Sequence, residues 1–187
     1  MPRSNQTKRL LAQSLMDLMT TTPLEKISVN DIVDHAGVGR NTFYYHFEDK
    51  YDLVNWYFQS GVTQFLVERS AYASWNALLE AVENKVFYCN ALAYTGQNSL
   101  QQYIFDYLSS IFMQRAKELR PGIGADENLL VGRFFAGALM GILQPWVLGG
   151  MKTNTTRPSQ TVPLLSVDEL ELILCGELGE THEPGKL

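Results

Sequence analysis

Apolar residues recur along this chain at the three- and four-residue spacing of α-helices, whereas the alternation typical of β-strands is scarce. Leu11, Leu15 and Leu18 follow a polar start and predict an amphipathic helix that ends near the Thr-Thr-Thr-Pro of residues 20–23. Helix start and stop signals then recur downstream. The sequence therefore predicts an all-α fold.

Two short helices joined by a tight turn are predicted next. Ser28 and Asp31 form the S-x-x-D pattern of a helix start, and Gly37 is placed to end that helix after residues 29–36. Another short helix is predicted over residues 40–46. With the longer helix before them, these elements match the three-helix form of the helix-turn-helix.

The remaining sequence predicts a helical bundle. Further helices are expected to begin near residues 49, 74, 99, 127 and 166, and the Thr-, Pro-, Gly- and Ser-rich segment 150–165 is expected to be a loop. We therefore predict eight to nine helices, divided into a helix-turn-helix domain at residues 1–50 and a helical domain at residues 51–187.

The predicted helix over residues 40–46 has two different faces. Phe43 and Phe47 are four residues apart and are expected to pack into the core. Arg40 lies in the first turn, from which a guanidinium group could reach a guanine edge. The opposite face and its flanks carry hydrogen-bonding side chains, namely Asn41, Thr42, Tyr44, Tyr45 and His46. Such a face suits the DNA major groove, which admits one helix and presents donors and acceptors at its floor.

Residues 28–50, S-V-N-D-I-V-D-H-A-G-V-G-R-N-T-F-Y-Y-H-F-E-D-K, resemble the DNA-binding signature of the tetracycline-repressor (TetR/AcrR) family, whose pattern is I-A-x-x-A-G-V-S-x-G-T-x-Y-x-Y/H-F-x-x-K. The resemblance implies operator contacts from Thr42, Tyr44, Tyr45 and His46, phosphate contacts from Ser28 and Lys50, and variable base readers at Asn30, Arg40 and Asn41. Two residues depart from the pattern: Gly39 stands where a serine is usual, and Asn41 where a glycine is usual.

This resemblance implies a sequence-specific DNA-binding transcriptional regulator, which we expect to be a ligand-responsive repressor. It also implies a homodimer on a near-palindromic operator of double-stranded DNA, with an effector-binding and dimerisation domain after residue 50. The segment F-F-A-G-A-L-M-G-I-L...W-V-L-G-G-M further resembles a Firmicutes-type branch that includes a regulator of dihydroxyacetone kinase genes.

Two sets of residues in the helical domain are candidates for these further roles. Aromatic residues that could line an effector cavity are Tyr57, Phe65, Tyr88, Tyr103, Tyr107, Phe134 and Trp146. Residues expected at the dimer interface are Gly137, Gly141, Leu170, Ile173 and Leu174. Few charges accompany the aromatic residues, so we expect either a small apolar effector or a partner protein, and the sequence leaves both open.

Charge and cysteine content agree with a protein of the cytoplasm. Residues 1–50 are neutral, with six basic and six acidic side chains, and the net charge of −5 arises downstream. Cys89 and Cys175 lie in separate apolar helical patterns, which favours buried thiols over a disulfide framework. The N-terminal sequence lacks an apolar run followed by a cleavage site, so no secretion signal is expected.

No enzyme, cofactor or metal chemistry is predicted. His35 and His46 are eleven residues apart without a third ligand nearby, which is unlike a zinc site. Gly37-x-Gly39 follows no strand and lacks the third glycine of a nucleotide-binding loop.

Two other interpretations remain open at this point. Residues 134–151 contain a single strongly polar side chain, Gln144, and reach the length of a membrane span, although a helix buried or shared between subunits has the same composition. The chain could also be a helical small-molecule-binding or partner-binding module without operator binding. We predict no membrane association, because no basic cluster flanks the apolar run.

Overall fold

A computed structural model describes residues 2–63 and 85–151. Within these ranges the chain forms seven α-helices, one 3₁₀ turn and no strand, which confirms the all-α prediction. The helices are α1 (Pro2–Met19), α2 (Val29–Ala36), α3 (Arg40–His46), α4 (Lys50–Thr63), α5 (Lys85–Ala93), α6 (Leu100–Leu119) and α7 (Ala125–Leu148), and the 3₁₀ turn is Leu24–Lys26. The helix expected from residue 166 lies outside the described residues, as does the start of the helix expected from residue 74.

The first four helices share one core. Leu11 and Leu15 of α1 are fully buried and lie in the same apolar cluster as Ile32 of α2 and Phe43 of α3. Burial of each such side chain contributes about 1.5 to 3 kcal/mol. Because α1 packs on α2, α3 and α4, this core holds the two short helices in a fixed relation to one another.

The two longest helices within residues 2–63 and 85–151, α6 and α7, pack side by side in antiparallel directions. They lie close together at Gly132, where a Cβ atom would lie 2.7 Å from the carbonyl oxygen of Ser109 and 2.5 Å from Cγ of Met113. No side chain fits at that distance, so the tight contact between the helices requires glycine. Farther along, the Gln144 side chain donates to the Gln101 side chain across the same pair of helices at 3.1 Å.

Candidate nucleic-acid interface

Local sequence signals fix the position of α2. The Ser28 hydroxyl accepts from the Asp31 N–H at 3.2 Å, and the Asp31 carboxylate accepts from the Ser28 N–H at 2.7 Å, so the capping box is complete. The Ser28 N–H and the Ser28 hydroxyl both donate to the Asp31 carboxylate at 2.7 Å, and these two bonds lower the pKa of Asp31 below its usual value. At the other end, Gly37 adopts a left-handed φ of 67° and turns the chain toward α3.

The structure places the two faces of α3 as the helical wheel predicts. Phe43 is 0% exposed and Phe47 is 3% exposed, so both rings belong to the core. Tyr45 is 82% exposed and Tyr44 is 47% exposed on the outer side. Of the other predicted contact residues, Ser28, Asn30, Arg40 and Asn41 are exposed, whereas Thr42, His46 and Lys50 are partly exposed. An outward face of hydrogen-bonding side chains therefore stands on an apolar base, and its contact with DNA stays a prediction.

Lys50 occupies a position that the sequence did not predict. Its ammonium group donates to three backbone carbonyls of the 3₁₀-turn segment, those of Leu24 and Ile27 at 2.7 Å and that of Glu25 at 3.0 Å. Partial burial lowers the pKa of Lys50, although Glu25 and two other carboxylates favour its charged form. An ammonium group has three donors, and all three are used here. Its predicted phosphate contact stays a prediction, while the bonds in place hold α4 against the α1–α2 connection.

Two asparagines that sequence reasoning did not single out join the helix-turn-helix to the rest of the chain. Asn90 of α5 donates to the Met19 carbonyl at 2.9 Å and accepts from the Leu24 N–H at 3.4 Å. Asn98, in the connection between α5 and α6, donates to the Asp49 carboxylate at 3.1 Å. An amide inside the apolar run V-F-Y-C-N-A-L-A was the only sequence signal that could have indicated Asn90.

An aromatic stack reinforces the second of these links. The Tyr51 and Tyr94 rings lie parallel, with their centroids 4.2 Å apart. Burial, together with a hydrogen bond to Tyr94, raises the pKa of Tyr51. The start of α4 and the residue before it are therefore attached to the α5–α6 connection by both aromatic and polar contacts.

Part of the predicted effector-binding set gathers around one buried ring, Phe58. The rings of Tyr88, Tyr103 and Tyr107 all lie edge-on to Phe58, with centroids 6.1 to 6.5 Å away. The Tyr107 hydroxyl is buried and has no hydrogen-bond partner in the part of the chain that the structure describes. These four rings pack edge to face, and the Tyr107 hydroxyl among them remains unsatisfied within the described residues.

Tyr57 adjoins this cluster through Phe87, whose ring centroid lies 4.7 Å from that of Tyr57 and 5.1 Å from that of Tyr88. Trp146 lies in the last turns of α7. Phe134 is 65% exposed on the outer side of α7 and is not brought to the cluster around Phe58. Phe65 lies outside the described residues.

A cleft of about 460 Å³ opens at the junction of α1 and α5. It is lined by Met19, Thr20, Thr21, Thr22, Pro23, Lys85, Val86, Cys89 and Asn90, none of which belongs to the predicted effector-binding set. The Cys89 thiol donates to the Val147 carbonyl at 3.1 Å, and burial raises its pKa. The cleft is open to solvent and adjoins the Asn90 link.

One side of α7 is apolar and exposed. Leu130 and Phe134 are 69% and 65% exposed, and Gly137 and Gly141 continue the same stripe along the helix. The remaining residues predicted for the dimer interface, Leu170, Ile173 and Leu174, lie outside the described residues.

By length and composition, α7 is also the one described helix that could cross a membrane. It packs along α6, however, and α6 carries exposed charges at Asp106 and Lys117. Charges on an adjacent helix are costly in a bilayer, so the apolar stripe fits a protein surface better than lipid.

No group of three potential metal ligands among His, Cys, Asp and Glu occurs within residues 2–63 and 85–151. His35 has a structural contact instead, because its Nδ1 atom lies 3.1 Å from the buried hydroxyl of Ser14. That hydroxyl donates to the Ile32 carbonyl at 2.7 Å, so Nδ1 must carry the proton and donate to Ser14.

Comparisons with known proteins agree with this geometry. A family model described as bacterial regulatory proteins, tetR family, matches residues 14–60, and one described as transcriptional regulator C-terminal region matches residues 74–162. The HTH-type dhaKLM operon transcriptional activator DhaS of Lactococcus lactis subsp. lactis (strain IL1403) is 33% identical over 93 residues, which are 47% of this chain and 50% of that protein. The alignment therefore spans half the length of that relative.

Solved structures show the same fold at lower sequence identity. The dihydroxyacetone kinase operon activator DhaS superposes with a TM-score of 0.57 at 19% identity, covering 91% of this chain and 95% of the other. NalD, the secondary repressor of the MexAB-OprM multidrug efflux pump in Pseudomonas aeruginosa, gives 0.55 at 16% identity, covering 93% and 96%. With a helix-turn-helix matched at one end and a regulator domain at the other, this chain belongs to the tetR family of bacterial regulatory proteins.

Proposed function

We propose that this chain is a sequence-specific DNA-binding transcriptional regulator that acts in the cytoplasm as a homodimer on a near-palindromic operator. The observation that carries the proposal is the construction of α3. Phe43 and Phe47 anchor the helix in the core, so that Asn41, Thr42 and Tyr45 face outward from a rigid support. A seven-residue helix presented in this way fits the major groove, where base edges offer a distinct pattern of donors and acceptors.

The apolar stripe on α7 supports the homodimer. At Gly141 a Cβ atom would meet nothing within 4 Å, and at Gly137 it would lie 3.9 Å from the Phe105 ring, an ordinary contact. Contacts within the described chain therefore do not require glycine at either position, although glycine inside a helix costs about 1 kcal/mol relative to alanine. Close packing of a second helix against this face would explain glycine at both positions, and α7 of a second copy of this chain is such a helix.

An effector would act on the junction between the two domains. The bonds of Asn90 and Asn98 and the stack of Tyr51 on Tyr94 attach the helix-turn-helix to α5 and to the α5–α6 connection. A small apolar molecule or a partner protein that shifts α5 would change the spacing of the two recognition helices. A complete switch requires the effector to prefer one conformation by about 5.5 kcal/mol.

Whether the protein represses or activates transcription depends on where its operator lies relative to the promoter. We expect a ligand-responsive repressor. The relative with 33% identity is described as an activator, and the Pseudomonas aeruginosa structure as a repressor, so this fold accommodates both. A reporter gene placed behind the selected operator distinguishes the two, because a repressor lowers expression and an activator raises it.

The direct experiment selects bound fragments from random-sequence duplex DNA and then measures affinity across a range of salt concentrations. We expect a near-palindromic site with half-sites about 34 Å apart, the spacing of one helical turn. Affinity should fall steeply as salt rises, because each phosphate contact releases counterions. Failure to enrich any sequence, or an affinity that does not respond to salt, would contradict the proposed function.

A further inference from the structure

Arg40 and Tyr44 are in direct contact on the outer side of α3. The Arg40 guanidinium group donates to the Tyr44 hydroxyl at 3.2 Å, and its central carbon lies 5.4 Å from the centroid of the Tyr44 ring. The residues are four apart, so they lie one above the other on the same side of the helix. An exposed arginine that would otherwise sample many rotamers is thus held against a ring.

Tyr44 is itself fixed from below. Its ring packs edge-on against the Phe43 ring, with centroids 5.5 Å apart and planes at 81°, and Phe43 is fully buried. A continuous set of contacts therefore runs from the core through one aromatic ring to the guanidinium group. Tyr45, the next residue, is 82% exposed and packs on His46 instead.

We infer that Tyr44 is the positioning residue for Arg40, and that the two side chains form one base-reading unit whose target is a guanine in the major groove. This inference rests on the proposed function. Arginine recognises guanine through paired bonds to O6 and N7, which require the plane of the guanidinium group to align with the base edge. A side chain already restricted by a ring and a hydroxyl loses less rotamer freedom when it forms those bonds.

The same hydroxyl remains able to contact a phosphate. Its oxygen accepts from Arg40 through a lone pair, so its own proton is free to be donated to a phosphate oxygen. Tyr44 would thus contribute to overall affinity through the phosphate and to base discrimination through Arg40, and these two contributions can be measured separately.

The experiment uses the full-length protein and the operator selected from random duplex DNA, with each base pair of the site replaced in turn. The wild-type protein should discriminate roughly 5- to 150-fold against replacement of the base pair that Arg40 reads. Arg40→Ala should abolish discrimination at that one base pair. Tyr44→Phe, which keeps the ring and removes only the hydroxyl, should reduce discrimination there by about threefold or more and change it less than twofold at other positions.

The matched control is Tyr45→Phe, which removes the neighbouring exposed hydroxyl but leaves the Arg40 contact in place. It should leave discrimination at the Arg40 position unchanged. Thermal unfolding should show that neither phenylalanine variant loses stability, since both hydroxyls belong to exposed residues.

The inference is overturned if Tyr44→Phe lowers affinity equally for every operator variant, because Tyr44 would then contact phosphate alone. It is also overturned if Arg40→Ala leaves discrimination intact at all positions. In both cases the wild-type protein still selects an operator, so the proposed function stands. If the wild-type protein selects no sequence, the proposed function fails and the inference fails with it.

Discussion

The outer faces of α3 and α7 are both exposed, yet their chemistry is opposite. On α3 the outward side chains include Asn41 and Tyr45, which can donate or accept hydrogen bonds. On α7 the outward residues Leu130, Phe134 and Gly141 offer water no hydrogen-bonding side chain. Water can hydrogen-bond to the side chains of the first face but not to those of the second, so the two faces are suited to different partners.

This difference shows why exposure alone does not identify a binding surface. A face rich in donors and acceptors forms its hydrogen bonds with water when no partner is bound. It becomes specific only for a partner with a matching pattern of donors and acceptors, such as base edges. Contact with any complementary apolar surface removes an apolar stripe from water and is therefore favourable. Glycine within the stripe allows the close approach of a second helix. We therefore propose polar recognition for α3 and association between copies for α7.

The largest expected effect comes from placing charge on the α7 stripe. The double variant Leu130→Asp with Phe134→Asp should convert the dimer to a monomer, because unpaired carboxylates would be buried in the interface. Loss of the second recognition helix should then lower affinity for a palindromic operator by about 100-fold or more. Analytical ultracentrifugation and duplex binding measure the two consequences. The control variant Leu129→Asp changes an exposed position on another side of α7 and should remain a dimer. If the double variant is still a dimer, the apolar stripe is not the dimer interface.

The reciprocal change places charge on α3. Asn41→Asp should lower operator affinity by about 30-fold, or 2 kcal/mol, because the new carboxylate would lie among phosphates and base edges. The dimer should stay intact, since Asn41 is exposed and distant from α7 in the chain. Titration of the selected duplex and sedimentation of the free protein test both statements. Unchanged affinity would mean that the outer face of α3 does not enter the groove.

A third change distinguishes support of the fold from contact with DNA. Lys50→Met leaves three carbonyls without their shared donor and should reduce the free energy of unfolding by about 1 to 3 kcal/mol. Lys26→Met, at an exposed lysine of the same turn, should change it by less than about 0.5 kcal/mol. Chemical denaturation measures both.

The salt dependence of operator binding completes this test of Lys50. We expect the Lys50→Met variant to keep the wild-type slope, since the ammonium group is already bonded within the chain. A slope that becomes shallower, by about 0.9 for each phosphate that the protein no longer neutralises, would restore the phosphate-binding role predicted from the sequence.

Local signals explain why much of the α3 region could be predicted from sequence. The Ser28–Asp31 pair and Gly37 fix the ends of α2 through bonds within a few residues, so the expected bounds of 29–36 and 40–46 are those observed. The burial of Phe43 and Phe47 likewise follows from helical spacing alone. These features need no knowledge of the rest of the fold.

Contacts between residues far apart in the sequence could not be predicted in this way. Lys50 bonds carbonyls 23 to 26 residues away, and Asn90 reaches across 66 and 71 residues, distances at which spacing in the sequence carries no geometric information. The exposure of Phe134 is a similar case, because an aromatic residue in an apolar helix gives no sign of which side faces outward. Tertiary packing alone decides these positions.

The smallest expected effect distinguishes Gly141, which faces open space, from Gly132, which packs against α6. In the monomeric background of Leu130→Asp with Phe134→Asp, Gly141→Ala should raise the free energy of unfolding by about 0.5 to 1 kcal/mol, because the new methyl group meets open space and alanine favours the helix. In the wild-type dimer the same change should weaken association, since the methyl group would meet the partner helix. Gly132→Ala is the matched control and should destabilise both forms, because its Cβ would lie 2.7 Å from a backbone oxygen of α6. If Gly141→Ala strengthened the dimer as well as the monomer, no helix would approach that position, and the difference between α3 and α7 would need another explanation.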